Sequence, residues 1–483
     1  MKLIVAAGLL FALFGEAEPS TAGMPYTVRR VSLGSEDVQG HGHSSHAALS
    51  ADGRFVVFVS EAANLVASDL NKSSDVFVRD LLLGLTRRVS VSSEGEEGNA
   101  PSFGPTISGD GRIVAFVSDA SNLVQEDTNG ATDVFAHDLV SGRTHRISVS
   151  PSGEQAIGFD PFTGEPSAYY AASLEASISS DGNAIAFTSR AQNLTEPRGE
   201  PDADIFVRET FTPSTLEIVS ISTDGVQGND SSYSPSISAD GRYVAFSSDA
   251  SNLIARDGND LPDVFVRDRL QRTTTRESES FHDGDASGLA YGSFQPSLSA
   301  DGRYLAFTSD AIDLVPTAAN GSWNVYVRDR LNQSTIAVSY SHRRFGSLAL
   351  PSLDPQGHSY GPSISADGRY VAFHSLAEDL VEEDASDPPE PEGRDNQSDV
   401  FLHDLLTRHT TRISKADDGS PGNNGSYLPS ISASGQAVAF TSYASNLVSD
   451  DTNGDLDVFL WRNVNGDRAE RHAHPYQRTR AGR

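Results

Sequence analysis

The sequence predicts an all-β chain: a seven-bladed β-propeller of four-stranded antiparallel blades, closed by an N-terminal strand that completes the last blade. Three observations predict it. One phrase recurs seven times, each copy holds four short strand-like runs, and the last copy lacks a fourth strand that the start of the chain can supply.

The recurring phrase is Ser238-Ala-Asp-Gly-Arg-Tyr-Val-Ala-Phe246, and its turn glycine falls at Gly53, Gly111, Gly182, Gly241, Gly302, Gly368 and Gly435, 58 to 71 residues apart. In the fourth copy, apolar or β-branched runs at 236–238, 243–248, 263–267 and 273–277 are each bounded by Gly, Asp, Asn or Pro, which makes four strands. Between the first two, Asp240 and Gly241 supply the cap and the positive-φ corner of a tight hairpin, so they read as a turn. The second run alternates Tyr243 and Ala245 with Val244 and Phe246, apolar on both faces, as a sheet sandwiched between two others requires.

The seventh copy shows strands near Ser430, at 437–442 and at 457–461, and then turns polar. Residues 26–32, Tyr-Thr-Val-Arg-Arg-Val-Ser, resemble the fourth strands Thr86-Arg-Arg-Val-Ser90 and Thr144-His-Arg-Ile-Ser148 with no first three strands before them. They are expected to complete blade seven and so remove an open sheet edge.

The 483 residues thus divide into a signal peptide over 1–22, the propeller over 23–466 and a disordered basic tail over 467–483. The leader is read from Lys2, an apolar run over 3–14 and small residues at Gly15, Ala17, Ser20 and Ala22. No later segment is long and apolar enough to span a membrane, so a periplasmic or secreted monomer is expected. The chain has no cysteine, which excludes disulfides, a thiolate nucleophile and a lipid-modified cysteine anchor. A net charge of −30 disfavours nucleic acid and anionic lipid as partners and favours cations and basic ligands.

The segment from Pro235 to Phe246, Pro-Ser-Ile-Ser-Ala-Asp-Gly-Arg-Tyr-Val-Ala-Phe, followed by Asp263-Val-Phe-Val-Arg-Asp268, resembles the TolB-like propeller repeat over about residues 26–462. The resemblance implies the fold. It leaves function open, because that repeat occurs in periplasmic scaffolds, in prolyl oligopeptidase-like enzymes and in oligogalacturonate lyase-like enzymes. A peptidase would need a hydrolase domain with a Gly-x-Ser-x-Gly elbow, and the sequence has neither.

Candidate chemistry gathers on the face formed by the loops after each second strand and the loops joining blades. Asp69, Asn71 and Asp75; Asp127, Asn129 and Asp133; Asp257, Asn259 and Asp263; and Asp451, Asn453, Asp455 and Asp457 place oxygen ligands at alternate positions of four such loops. Calcium takes six to eight oxygen ligands, so it is the implied cofactor, with blade seven the best candidate; the same residues can also serve as turn caps. The blade-joining loops place an aromatic five residues before the turn Ser at Phe103, Tyr233, Phe294, Tyr360 and Tyr427, with Ser45 and Leu174 in the other two copies. Such rings can stack on sugars or grip a peptide, or pack between blades. His41, His43 and His46 form the one histidine cluster. The repeated Arg-Asp or His-Asp ending strand three reads as structure, and the long insertions at 151–174, 280–294, 341–359 and 382–394 break the symmetry where specificity belongs. The expected function is an exported, non-catalytic scaffold binding a protein or glycan. The rival is a metal-dependent polysaccharide lyase or hydrolase of the oligogalacturonate lyase-like type.

Overall fold

The computed structural model describes residues 26–195, 202–212, 215–282, 284–286, 292–316, 321–341, 357–381 and 397–464. The expected leader, the basic tail and the acidic insertion at 382–394 lie outside them. Seven antiparallel sheets of four strands form the chain, and in six of them the strands neighbour one another in chain order. In the seventh, Tyr26–Arg30 pairs with Asp457–Asn463, with Tyr26 opposite Asn463 and Arg30 opposite Phe459, as the sequence predicts. The first strand of every blade touches the first strands of both neighbours, so these strands form the inner wall of a closed ring.

Packing follows from the two-sided apolar second and third strands. Phe58 faces Phe77 across the strands of blade one, and the same stacked pair recurs as Phe116–Phe135, Phe187–Phe206, Phe246–Phe265, Phe307–Tyr326, Phe373–Phe401 and Phe440–Phe459, with centroids 5.7 to 6.0 Å apart. Each pair packs on the small Val, Ile, Leu and Ala side chains of the preceding blade, as Phe246 and Phe265 pack on Ala184, Ala186, Ile205 and Val207. The core is therefore seven layers between blades. Burying each phenyl ring contributes roughly 1.5–3 kcal/mol.

The turns between first and second strands behave as read. In the fourth, Ser238 Oγ donates to Asp240 Oδ1 (2.8 Å), Asp240 accepts Arg242 N (3.0 Å), and Gly241 sits at φ +72°. Arg242 then makes a two-pronged pair with Asp268 (3.0 and 2.6 Å), repeated by Arg54–Asp80, Arg112–Asp138, Arg303–Asp329 and Arg369–Asp404. The acid ending strand three thus pins the first turn of its own blade in five blades.

Between blades, the turns join in a backbone hoop. Ala51 N donates to Gly109 O, Gly109 to Ser180, Asp181 to Ala239, Ala239 to Ala300, Ala300 to Ala366, Ala366 to Ala433 and Ala433 back to Ala51, at 2.8 to 3.2 Å. Gly109 stands where most copies have Ala because a Cβ there would lie 2.1 Å from Ser180 Oγ, the bulkier residue of the next turn.

One boundary differs from the sequence reading. The first strand of blade four is Ser232–Ile237, not 236–238, and that of blade seven is Ser426–Ile431, so the aromatics lie inside first strands and not in the joining loops. The cause is a bulge: Ser234 at φ +54° and Pro235, which has no N–H to pair, interrupt the ladder, and pairing resumes with Tyr233 opposite Ser247.

Candidate functional site

The acidic loops are built around their asparagines. Asn71 Oδ1 accepts Ser73 N (2.8 Å) while its Nδ2 donates to Gly98 O (2.8 Å) in the blade-joining loop. Asn129, Asn259 and Asn453 repeat this with Ala156 O, Ala286 O and Gly40 O. Each asparagine therefore caps its own turn and ties together the two loops that form this face.

The carboxylates converge on an arginine of the fourth strand. Arg88 meets Asp69 (3.2 Å), Asp75 (3.2 Å) and Glu97 (2.8 Å). Arg146 meets Asp127 (3.0 Å) and Asp133 (3.2 Å), and Arg276 meets Asp257 (3.5 Å), Asp263 (3.2 Å) and Asp285 (2.6 Å). In blade seven the closing strand supplies Arg30, beside Asp450, Asp451 and Asp457, while Asp455 turns toward His43 (3.6 Å). Among the described residues, only Asp69, Asp75 and Glu97 bring three such donors within 4.8 Å of one another, and Arg88 lies among them.

Sequence reasoning missed these arginines, although a signal exists. Arg146, Arg276 and Arg412 follow the first Asp of strand three by 13 residues, and each precedes an apolar or acidic residue and a Ser. Where Ile218 and Ala337 replace the arginine, in blades three and five, the Asp-x-Asn pattern of the loop is also lost. Burial leaves its mark on these acids. It pushes Asp75, Asp133 and Asp257 up to about 6 against the nearby guanidinium and, for Asp75 and Asp133, hydrogen bonds from Ser90 and Ser148.

On the same face, the structure brings four of the predicted aromatics into one arc across blades four to seven. Tyr233 stacks on Phe294 (6.3 Å), Phe294 meets Trp323 (5.2 Å), Trp323 meets Tyr360 (6.1 Å), Tyr360 meets His374 (5.6 Å) and His374 meets Tyr427 (6.1 Å). All six side chains are partly exposed. Phe103 lies apart from the arc and packs against the cores on both sides of its blade.

Trp323 and His374 were not among the sequence candidates. His374 occupies a second-strand position held elsewhere by Val59, Val117, Thr188, Ser247, Thr308 and Thr441, and that break in symmetry was its signal. Gly361 makes room for it, since a Cβ there would lie 3.0 Å from the imidazole. Burial lowers the His374 pKa to about 4, so the ring is neutral at pH 7, and its buried Nδ1 has no hydrogen-bond partner among the described residues.

The bulge adds a further ring of residues on the inner wall. His46, Gly104, Glu175, Ser234, Gln295, Gly361 and Leu428 all sit at φ between +51° and +58°. They vary inside an otherwise repeated frame, and two reach across blades: Glu175 accepts Ser234 N (2.7 Å) and Gln295 accepts Gly361 N (3.0 Å). The three N-terminal histidines go to separate partners. His41 N donates to Asn64, His43 Nδ1 accepts Leu456 N (3.0 Å) and its ring meets Tyr443, and His46 Nδ1 bonds Ser45 Oγ (2.8 Å).

No protein-family model matches the chain, and no curated protein matches it. Among solved structures it is similar to an oligogalacturonate lyase from Vibrio parahaemolyticus, at 13% identity over 90% of this chain and 96% of that one with a TM-score of 0.48. It is also similar to an oligogalacturonate lyase in complex with manganese (12%, 91% and 97%, TM-score 0.49) and to TolB from Acinetobacter baumannii (16%, 85% and 80%, TM-score 0.37). At these identities the likeness is one of strand arrangement and assigns no chemistry.

Proposed function

We propose that the chain is an exported, non-catalytic propeller scaffold that binds a glycan or protein through the face bearing the aromatic arc. The carrying observation is the run of six partly exposed rings from Tyr233 to Tyr427 across four blades, a broad rigid surface with hydroxyl and imidazole groups at its edge. Glu175 and Gln295, set beside it by the bulges and exposed, hold their inter-blade bonds through Glu175 Oε2 and Gln295 Oε1, and the Glu175 Oε1 and Gln295 amide Nε2 face ligand amines or hydroxyls. The net charge of −30 favours neutral or cationic ligands over acidic ones.

The chain's two tryptophans make the test direct, because Trp461 is buried at 6% exposure while Trp323 lies in the arc. Cello-oligosaccharides, chito-oligosaccharides and basic peptides are titrated while tryptophan emission is followed. A saturable change that is lost in Trp323→Phe and weakened at least roughly tenfold in Tyr360→Ala supports the reading. No saturable change with any of these probes overturns it.

A lyase or hydrolase is the second reading, favoured by His358 and His374 standing on either side of Tyr360 at 5.9 and 5.6 Å. Turnover of oligogalacturonides with an added divalent metal, abolished by His374→Val, would replace the scaffold reading.

A further inference from the structure

The aromatic arc is not uniform in charge, and its Tyr233 end differs from the rest. Three exposed carboxylates, Glu175, Asp230 and Asp249, stand beside that ring. The Tyr233 hydroxyl donates to Asp249 Oδ1 (3.0 Å), Glu175 Oε2 accepts Ser234 N (2.7 Å), and Asp230 precedes Ser231, whose O accepts Asp249 N (2.9 Å). Burial and these three acids push the Tyr233 hydroxyl above its usual range, so it remains a donor. None of the three carboxylates takes part in an ion pair among the described residues.

Each carboxylate is held by one oxygen and presents the other. Glu175 Oε2 also accepts Thr188 Oγ1 (2.9 Å), and its Oε1 has only a 3.5 Å contact from Ser234 Oγ. Asp230 Oδ1 accepts Ser231 N (2.7 Å). Glu175 Oε1, Asp230 Oδ2 and Asp249 Oδ2 remain for an outside donor.

A second observation points to the same place. Ser247 is fully buried, and its Oγ has no hydrogen-bond partner among the described residues, whereas Thr188 and Thr308 at the same strand position bond Glu175 and Gln295. Ser247 stands opposite Tyr233 and two residues before Asp249, so the three side chains leave one side of the sheet. A buried hydroxyl without a partner is costly, and a ligand N–H reaching in beside the Tyr233 ring would supply one.

The rest of the arc lacks this arrangement. Asp310 takes the place of Asp249 in blade five, but it is 2% exposed and accepts Gly292 N (3.0 Å). Leu376 and Tyr443 hold that place in blades six and seven. Glu378 of blade six corresponds to Ser251, which turns outward to Asn229 of the joining loop (3.1 Å). Of the basic side chains, His374 is neutral at pH 7, His358 Nδ1 accepts Trp323 N (3.2 Å), and Arg190 of blade three lies over the ring of Tyr169 (4.5 Å). The fitting ligand is therefore cationic at one end and neutral along the rest. A chain of amino sugars, cationic at every unit, would call for acids along the whole arc, whereas a peptide can place one basic side chain before apolar ones.

We propose, resting on the reading of the arc as a binding surface, that its ligand is a protein segment in which a basic side chain precedes a short apolar run. The guanidinium or ammonium group enters among Glu175, Asp230 and Asp249 beside Tyr233, and the apolar residues lie over Phe294, Trp323 and Tyr360.

The test is titration of the full chain, followed by tryptophan emission, with an end-capped peptide of one arginine followed by leucine and alanine. The same peptide with citrulline, the neutral isostere of arginine, is titrated beside it. The arginine peptide is expected to bind saturably and to weaken with added salt, and the citrulline peptide to bind at least roughly tenfold more weakly. The double variant Glu175→Gln, Asp249→Asn should lose the same factor and melt as the parent does. Each amide oxygen can keep the internal bond, as Gln295 Oε1 does with Gly361 N (3.0 Å). Asp119→Asn, which neutralises the exposed acid at the corresponding place in blade two, off the arc, should change nothing. Equal binding of the two peptides overturns the proposal. So does a loss in Asp119→Asn equal to that in the double variant, which would assign the effect to net charge. Cello-oligosaccharide binding without peptide binding also overturns it and leaves the scaffold reading standing, while no binding by any probe removes both.

Discussion

Arg88 shows how a single residue changes the chemistry of a loop. Its guanidinium lies 2.8 to 3.2 Å from Asp69, Asp75 and Glu97, and its own side chain is 7% exposed. The sequence offered these oxygens to calcium, and the positive charge among them comes from the fourth strand. Replacing Arg88 by Ala leaves buried carboxylates without a counter-charge, an expected loss of about 3–5 kcal/mol in denaturant unfolding. The same variant separates the two cations: calcium is expected to raise the melting temperature of Arg88→Ala and to leave that of the parent unchanged against a chelator. A calcium-dependent rise in the parent would show that the ion and the arginine bind together.

The same carboxylates set a pH dependence. Asp75, Asp133 and Asp257 titrate near 6 in the folded chain, above the usual value of about 3.9 in an unfolded one, so the folded state holds more protons between these limits. Their contribution is fully present below the lower limit and is lost as pH rises through 6. Asp80, Asp329 and Asp404 act in the opposite sense: hydrogen bonds from Arg54, Arg303 and Arg369 depress them, and their contribution is lost on acidification below the unfolded value. Melting temperature is therefore expected to rise from pH 7 to pH 5 and to fall below about pH 4. A steady fall from pH 7 downward in thermal scans would contradict this.

At the scale of the strand and blade, legibility depended on whether a signal was local. The Asp-Gly turns and the two-sided second strands were readable because cap, glycine and alternation sit within nine residues, as in 238–246. The first strands were cut short because Pro235 looks like a boundary, and only a bulge with Ser234 at positive φ lets the strand run on to Ser232. That misplacement put the aromatics in loops, where they could not be seen to form an arc. Arg146 and Asp133 lie on different strands, and Phe294 and Trp323 are brought together by the fold of their blade, so neither contact is visible from neighbouring letters. What remained readable in both cases was a departure from the repeat: Ile218 and Ala337 where the other five blades have Arg, and His374 where the other blades have Val, Ser or Thr.

For the whole molecule, the prediction that mattered most was closure. Counting strands in the last copy was enough to assign residues 26–32 to blade seven, because the missing strand was a matter of number and not of side-chain contact. Removing residues 1–32 would bare the edge of Asp457–Asn463 and the indole of Trp461, which now stacks with Tyr26 at 6.3 Å. The shortened chain is expected to melt lower and to associate with rising concentration in sedimentation, and a peptide of residues 26–32 added in trans should reverse both. A monomer of unchanged melting temperature would show that the backbone hoop from Ala51 to Ala433 suffices to hold the ring.

That closure also decides how the ring responds to being pulled. Tyr26 stands opposite Asn463 in an antiparallel pair, so both ends of the folded chain leave from the same end of one ladder. Tension between the termini does not slide the two strands past each other against all their bonds at once. It peels them apart from Tyr26 inward, one bond after another, as a zip opens. A molecule held shut around its whole circumference is thus a weak link under traction at a single point, and export machinery or a membrane tether that tugs on its ends would act on that clasp first.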